Sequence, residues 1–157
     1  MRGGGANIIY GKDELLVPWA QERIPHNRFR SDAKAIGIEI NHKLRAVTVW
    51  DNFSPRSCLI SVASDGNPNW MTREFGVHSM AYPFVQCGFT RLTSLVAANN
   101  EPSLKFVQRF GFTYEGTLRE ASFDGANLIV FGMLRRECLW LRPEQRVPSL
   151  LDMAIAV

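Results

Sequence analysis

The sequence predicts an α/β (α+β) fold built on a mixed sheet with flanking helices. Three observations predict it. The apolar period switches several times between two and about 3.6 residues along the chain. Strand-like and helix-like runs alternate instead of segregating into halves. The 157 residues form one domain-sized chain, long enough to bury roughly two-thirds of the unfolded surface in one core. A hydrophobic share of 46% against 21% charged excludes extended disorder, and no repeat or low-complexity block divides the chain.

Taken in order, ANIIY (6–10) reads as a short first strand. KDELLVPWAQERI (12–24) places Leu15, Leu16, Trp19 and Ile24 at helical spacing, with Pro18 expected to interrupt the helix. PHNRFRSD (25–32) is a polar, basic loop. AKAIGIEIN (33–41) alternates as a strand, and AVTVWDNF (46–53) is its hairpin return. The almost wholly apolar SCLISVAS (57–64) suits a strand covered on both faces. Residues 70–88 form a helix with Gly88 as its cap and Pro83 loosening its last turn. FTRLTSLVAA (89–98) is the next strand. Residues 112–123 and 128–140 read as a final hairpin around DGAN. The order is β, α, three β, then α, β, α, β, β.

Cys58, Cys87 and Cys138 are far apart and odd in number, so they read as free, buried thiols, with neither a zinc site nor a disulfide framework. The first residues lack the apolar core of a signal peptide and no run approaches a membrane span, which predicts a cytoplasmic protein without a membrane partner. The net charge is only +3, but fourteen arginines stand against four lysines. The guanidinium fork suits phosphate and carboxylate, so a phosphate-bearing ligand or nucleic acid stands beside a merely soluble surface as an explanation.

The stretch ANNEPSLKFVQRFGFTYEG (98–116) carries the most information. Asn100 is an N-cap, followed by Glu101 and Pro102 in the first turn. Leu104, Val107 and Phe110 form the apolar stripe, and Gly111 sits where a left-handed residue ends a helix. Packing alone explains each of these residues.

Extended to Arg119, the run resembles the strand–helix–strand of GCN5-related N-acetyltransferases. It is most similar to the branch that acetylates ribosomal-protein N-termini. That branch carries Asn-x-x-Ser at the helix start, Gly-Phe at its end and Glu-Gly-x-x-Arg on the next strand, here Asn100 and Ser103, Gly111 and Phe112, and Glu115, Gly116 and Arg119. The resemblance is specific over about residues 57–140 and topological before that. It implies an acetyltransferase-like domain over 1–142 with a tail at 143–157, and a mostly antiparallel sheet splayed between its fourth and fifth strands. Acetyl-CoA would lie in that gap as acyl donor, with no metal. The backbone of Ser61, Val62 and Ala63 would face the pantetheine arm and stabilise an oxyanion. The pyrophosphate would sit at the start of the 72–87 helix, where Thr72 caps and Arg73 either contacts a phosphate or is a solvated charge.

This chain departs from the family pattern in three places. SDGNPNWMTREFG replaces the glycine-rich phosphate loop, Val107 stands where a tyrosine acid is common, and Ser122 stands where the ribosomal branch has a glutamate. Ser103 is therefore the candidate proton donor, beside a backbone-bonding role. Asp65 and Glu120 are the candidate bases, Glu120 on the argument that it shares a strand face with Ser122. His78 reads as an ordinary helix residue. His26, Arg28, Phe29 and Arg30, with Arg23 and Lys34, form either a substrate-binding loop able to grip phosphates and stack a base, or a solvated one. Expected acceptors are a protein amine or a small amine, with an acidic substrate favoured over polyamines. The basic loop and the compact, phage-like build also motivate a DNA-base-modifying enzyme. The lost phosphate loop motivates a non-catalytic binding module. Dimerisation through the last strand and the apolar tail LLDMAIAV stands as an open alternative to a monomer.

Overall fold

A computed structural model describes residues 5–24 and 28–147. His26 and the apolar tail from residue 148 on, both named above, lie outside the described residues. The strands are β1 (Ala6–Ile9), β2 (Lys34–Ile40), β3 (Lys43–Asp51), β4 (Ser57–Ser64), β5 (Arg91–Ala97), β6 (Thr113–Leu118) and β7 (Leu128–Leu134). The helices are α1 (Asp13–Arg23), α2 (Arg73–Ala81) and α3 (Glu101–Phe110). Their order along the chain is the expected one. They build a seven-stranded, mostly antiparallel sheet in the order β1-β2-β3-β4-β5-β7-β6. Backbone contacts divide the chain into two compact units, Met1–Asn52 with Ile60–Ser79, and Phe53–Leu59 with Met80–Val157.

In the first unit, β2 and β3 pair antiparallel through a two-residue turn at Asn41 and His42, whose φ values of 52° and 64° are those of a twist-matched hairpin. α1 lies on this hairpin. Leu16 and Ala20, four residues apart, meet Ala35, Val47, Val49 and Ala63 in the core. Gly37 makes the approach possible, since a Cβ there would stand 2.8 Å from Leu44 Cδ1 and 3.0 Å from Leu16 Cδ2. Pro18 does not interrupt α1, contrary to the sequence expectation. It forfeits one hydrogen bond, and the burial of Leu16 and Ala20 on either side outweighs that loss.

Pro83 acts as expected. Following α2, residues Tyr82–Gln86 widen into a π-type turn. A proline at 83 has no N–H for the carbonyl of Ser79, four residues earlier. The buried indole N–H of Trp50 takes that carbonyl instead, at 3.2 Å, and Thr48 Oγ1 meets Ser79 Oγ at 2.8 Å. The polar groups freed by the proline are thus satisfied inside the core.

In the second unit, β5 pairs antiparallel with β7, and β7 with β6. Val107 of α3 is buried, and Leu104 and Phe110 are half-buried. Gly111 ends α3 at φ 119°, with Phe112 buried after it. Trp140 stacks on Phe110 at 4.6 Å between ring centroids and donates its indole N–H to the Phe110 carbonyl at 2.9 Å, closing an otherwise unpaired helix end. The segment after β7 is tied down by buried Arg135, whose Nε donates to the Gln145 carbonyl at 2.7 Å.

One expectation for this unit needs correction. β6 stops at Leu118 and β7 at Leu134, so the expected strands 112–123 and 128–140 are each too long. In the sheet β7 lies between β5 and β6.

Candidate active site

Ser61, Val62 and Ala63 lie on the outer half of β4. Cys58 and Ile60 are buried in alternation, but the next buried residue is Ala63. The period-two burial thus slips by one residue between Ile60 and Ala63. The parallel ladder between β4 and β5 runs over Ser57–Leu59 and Arg91–Thr93, three pairs on strands of eight and seven residues.

The loop from β4 to α2 uses most of its own hydrogen-bonding capacity. Asp65 N–H donates to the Arg45 carbonyl at 2.9 Å, and Gly66 N–H reaches Ser64 Oγ at 3.3 Å. Asn67 N–H donates to Asp65 Oδ1 at 2.9 Å, and Asn69 N–H to Asn67 Oδ1 at 3.2 Å. Pro68 has no N–H to offer. Thr72 N–H donates to the Trp70 carbonyl at 2.9 Å. Thr72 Oγ1 caps α2 by accepting from Phe75 N–H at 3.1 Å, and the Thr72 carbonyl accepts from Gly76 N–H. These are consecutive Asx-type turns ending in a helix cap. Arg73 is exposed at the first helical position, and Glu74 places a carboxylate beside it.

Asp65, a candidate base, is mostly buried and bonded to Arg45 Nη1 at 2.9 Å. The Asn67 amide, then Arg45, hold its carboxyl below the usual carboxylate range. Such a group binds a proton less readily than a free carboxylate. Glu120, the other candidate, is not on a strand. It sits two residues past β6 in a turn at φ 57°, its own N–H donated to Asn127 Oδ1 at 2.9 Å. The same-face argument from Ser122 therefore fails, because a strand period does not continue through a left-handed turn.

At the start of α3, Asn100 Oδ1 accepts from Ser103 N–H at 3.3 Å, the capping geometry expected, while Ser103 itself is half-buried. The first glutamate of Glu-Gly-x-x-Arg has a structural task. Glu115 is the extra residue of a bulge in β6, and its carboxylate crosses over Gly132 of β7 to bond Arg91 of β5 twice, Nη1–Oε2 at 3.0 Å and Nη2–Oε1. A Cβ at Gly132 would collide with that carboxylate. Arg91 holds the Glu115 carboxyl below its usual range.

Most of the basic loop is neutralised locally. Arg30 donates to the buried carboxylate of Asp51 through both Nη1 and its backbone N–H, at 3.3 and 3.1 Å. Arg23 lies over Trp19 at 3.5 Å from the ring centroid, and Lys34 pairs with Asp13 at 3.5 Å. Phe29, expected to stack a base, packs against the core beneath α1. Arg28 is exposed. A sequence window shows the cations of this loop but not their partners, which arrive from β3 and α1.

One cluster escaped the sequence reading. Tyr10, just past β1, bonds His78 Nδ1 of α2 through its hydroxyl, and Glu74 lies 3.9 Å from His78 Nε2. Burial, then Glu74, raises the Tyr10 pKa. Lone Tyr and His residues 68 positions apart carry no joint signal in sequence. Among the described residues no three His, Cys, Asp or Glu side chains converge to hold a metal, and no helix is long and apolar enough to cross a membrane.

No protein-family model and no curated protein sequence matches this chain. Solved structures do. Spermidine/spermine N-acetyltransferase SpeG from Vibrio cholerae superposes with a TM-score of 0.69 at 12% identity, over 84% of this chain and 94% of that one. A dodecameric structure of the Vibrio cholerae spermidine N-acetyltransferase gives 0.68 at 12% identity, over 83% and 94%. A protein described as a probable acetyltransferase gives 0.60 at 19% identity, over 79% and 72%. At such identities the likeness is one of fold, and this chain has the fold of the GCN5-related N-acetyltransferases.

Proposed function

We propose that the protein is an N-acetyltransferase that moves an acetyl group from a thioester donor of the acetyl-CoA type to a primary amine. The observation that carries this reading is the short parallel ladder between β4 and β5 in a mostly antiparallel sheet, ending just before the slip in β4's burial pattern, within a fold shared with acetyltransferases. The amine nitrogen attacks the thioester carbonyl carbon, and the resulting oxyanion is held by main-chain N–H groups of Ser61, Val62 and Ala63. The carbon–sulfur bond then breaks, the thiolate takes a proton from Ser103 as the serine regains one from water, and the ammonium loses one to a base. Of the two candidate carboxylates, Glu120 is the one we assign, since the Asn67 amide and then Arg45 hold the Asp65 carboxyl below its usual range. Asn100 orders the helix start that presents Ser103.

The Asn-x-x-Ser spacing favours the ribosomal-protein branch, hence a protein N-terminal amine as acceptor. The SpeG enzymes are named for spermidine, so polyamines belong in the same screen. The DNA-modifying reading is weaker, because Arg23, Arg30 and Lys34 are already engaged. The test is titration of the purified protein with acetyl-CoA, with and without Asn100→Ala, followed by thiol release in the presence of N-terminal peptides, spermidine and single-stranded DNA. Micromolar binding and release with one amine class support the proposal. No binding and no release from folded protein would sink it.

A further inference from the structure

Residues 119–127, between β6 and β7, carry Glu120, and the turn after β5 leads into the helix start that carries Ser103. The two segments are stitched together twice. Ala98 N–H donates to the Asn127 carbonyl at 2.8 Å, one step past the Ala97–Leu128 pair of the β5–β7 ladder. Asn99 Nδ2 donates to Asp124 Oδ2 at 2.9 Å. Each stitch continues into the segments it joins. On the loop side, Asn127 Oδ1 accepts the Glu120 N–H at 2.9 Å, and Asp124 Oδ1 accepts the Ala126 N–H at 3.0 Å. On the helix side, Asn100 N–H donates to the Ala97 carbonyl and Asn100 Oδ1 accepts from Ser103 N–H. The Asn99 amide, then the Ala126 N–H, hold the Asp124 carboxyl below its usual range. A run of hydrogen bonds thus leads from the backbone of Glu120, through Asn127, Ala98 and Asn100, to the backbone of Ser103.

The side-chain bonds of this run are exposed, where a hydrogen bond exchanged for water adds little to folding. Glu120 nevertheless keeps a φ of 57°, a left-handed value uncommon outside glycine. Bonds that add little stability yet hold an uncommon backbone are suited to placing a side chain. Resting on the acetyl-transfer reading and on Glu120 as its base, we infer that Asn99 and Asp124 are positioning residues. Their bond holds the 119–127 loop to the start of α3 and so sets where Glu120 meets the acceptor amine.

The experiment measures thiol release and urea unfolding on the full chain, with acetyl-CoA and the amine the parent uses best. Asn99→Asp sets a second carboxylate against Asp124 and breaks the bond. Adding Asp124→Asn restores it in the reverse direction, since the new amide donates to the new carboxylate and its oxygen still accepts from Ala126. The expected result for Asn99→Asp is a kcat about tenfold lower, with the KM for acetyl-CoA and the urea midpoint close to the parent's. The double variant should return kcat to within about threefold of the parent. Glu120→Gln completes the cycle. It should lower kcat about a hundredfold in the parent and far less when added to Asn99→Asp, because a misplaced base has less left to lose. An unchanged kcat in Asn99→Asp, a loss that the reciprocal swap does not recover, or an equal cost of Glu120→Gln in both backgrounds would each overturn the inference and leave acetyl transfer intact. A parent kcat indifferent to Glu120→Gln removes the base, and the inference with it. No thiol release from the folded parent with any amine overturns the acetyl-transfer reading itself.

Discussion

The starts of α2 and α3 use the same cap and differ in everything before it. Each has an oxygen-bearing side chain accepting an N–H three residues on, Thr72 from Phe75 and Asn100 from Ser103. α3 leaves β5 through a tight turn, closed by Asn100 N–H on the Ala97 carbonyl. α2 leaves β4 through a loop of linked Asx turns anchored on the Asp65–Arg45 pair. The comparison teaches that a well-formed helix start is not in itself an anion site. What counts is how many amides around it remain unspent, and before α2 the linked Asx turns take several of them.

The sharpest way to break the α2 side is Asp65→Ala. It strands Arg45, half-buried at 22% side-chain exposure, and frees the Asn67 amide in one step. A loss of about 2–3 kcal/mol of folding stability is expected, below the full cost of breaking a deeply buried pair. Urea unfolding checks it, and a shift under about 0.5 kcal/mol would mean that the loop does not depend on this anchor. The α3 side breaks at its other end. Gly111→Ala forces φ 119° on a residue with a Cβ and sets that Cβ 3.2 Å from Met133 Cε, at an expected cost of about 1–2 kcal/mol.

Caps give the next smaller effect. Thr72→Ala and Asn100→Ala should each cost about 1 kcal/mol of stability. The two sides then separate in function. Under the proposed mechanism Asn100→Ala also weakens thioester binding, by about tenfold if one hydrogen bond's worth of order is lost. If calorimetry with acetyl-CoA shows unchanged affinity for that variant, Asn100 is a cap and nothing more.

What could be read from sequence follows from range. The element order and both helix starts were legible because caps, stripes and glycines act over three or four residues. Gly111 announced its left-handed conformation by its place after Phe110, and Pro83 its loosened turn. Pro18 was misread because its local cost is offset by burial against Val47 and Val49 on another strand, which no local window contains. Glu120 was misplaced because nothing local marks where β6 ends, and its left-handed turn is held in part by Asn127 across the hairpin. The candidate site was legible as residue types and illegible as chemistry. Asp65 looked like a base until Arg45, 20 residues away, claimed it, and Arg30 looked like a phosphate ligand until Asp51 did the same.

The smallest expected effect separates two ion pairs that look alike on paper. Arg91–Glu115 is bidentate but about a third exposed on both partners, whereas Arg45–Asp65 is more enclosed, at 22% and 13%. Exposed pairs are screened and yield little, so Glu115→Gln should cost about 0.5 kcal/mol in dilute buffer and nearly nothing in molar salt. Asp65→Asn should cost more and keep most of that cost in salt. Acid gives the same ranking by another route. Both carboxyls titrate below their usual range in the folded protein, so the stability they add is present above the unfolded-state value and is lost as the pH falls through the folded one. Stability measured from neutral pH downward should therefore decline more gently in Asp65→Asn than in the parent, and Glu115→Gln should differ little from the parent once salt is added. An acid limb that flattens only in Glu115→Gln would reverse the ranking, and with it the claim that enclosure decides which of the two pairs matters.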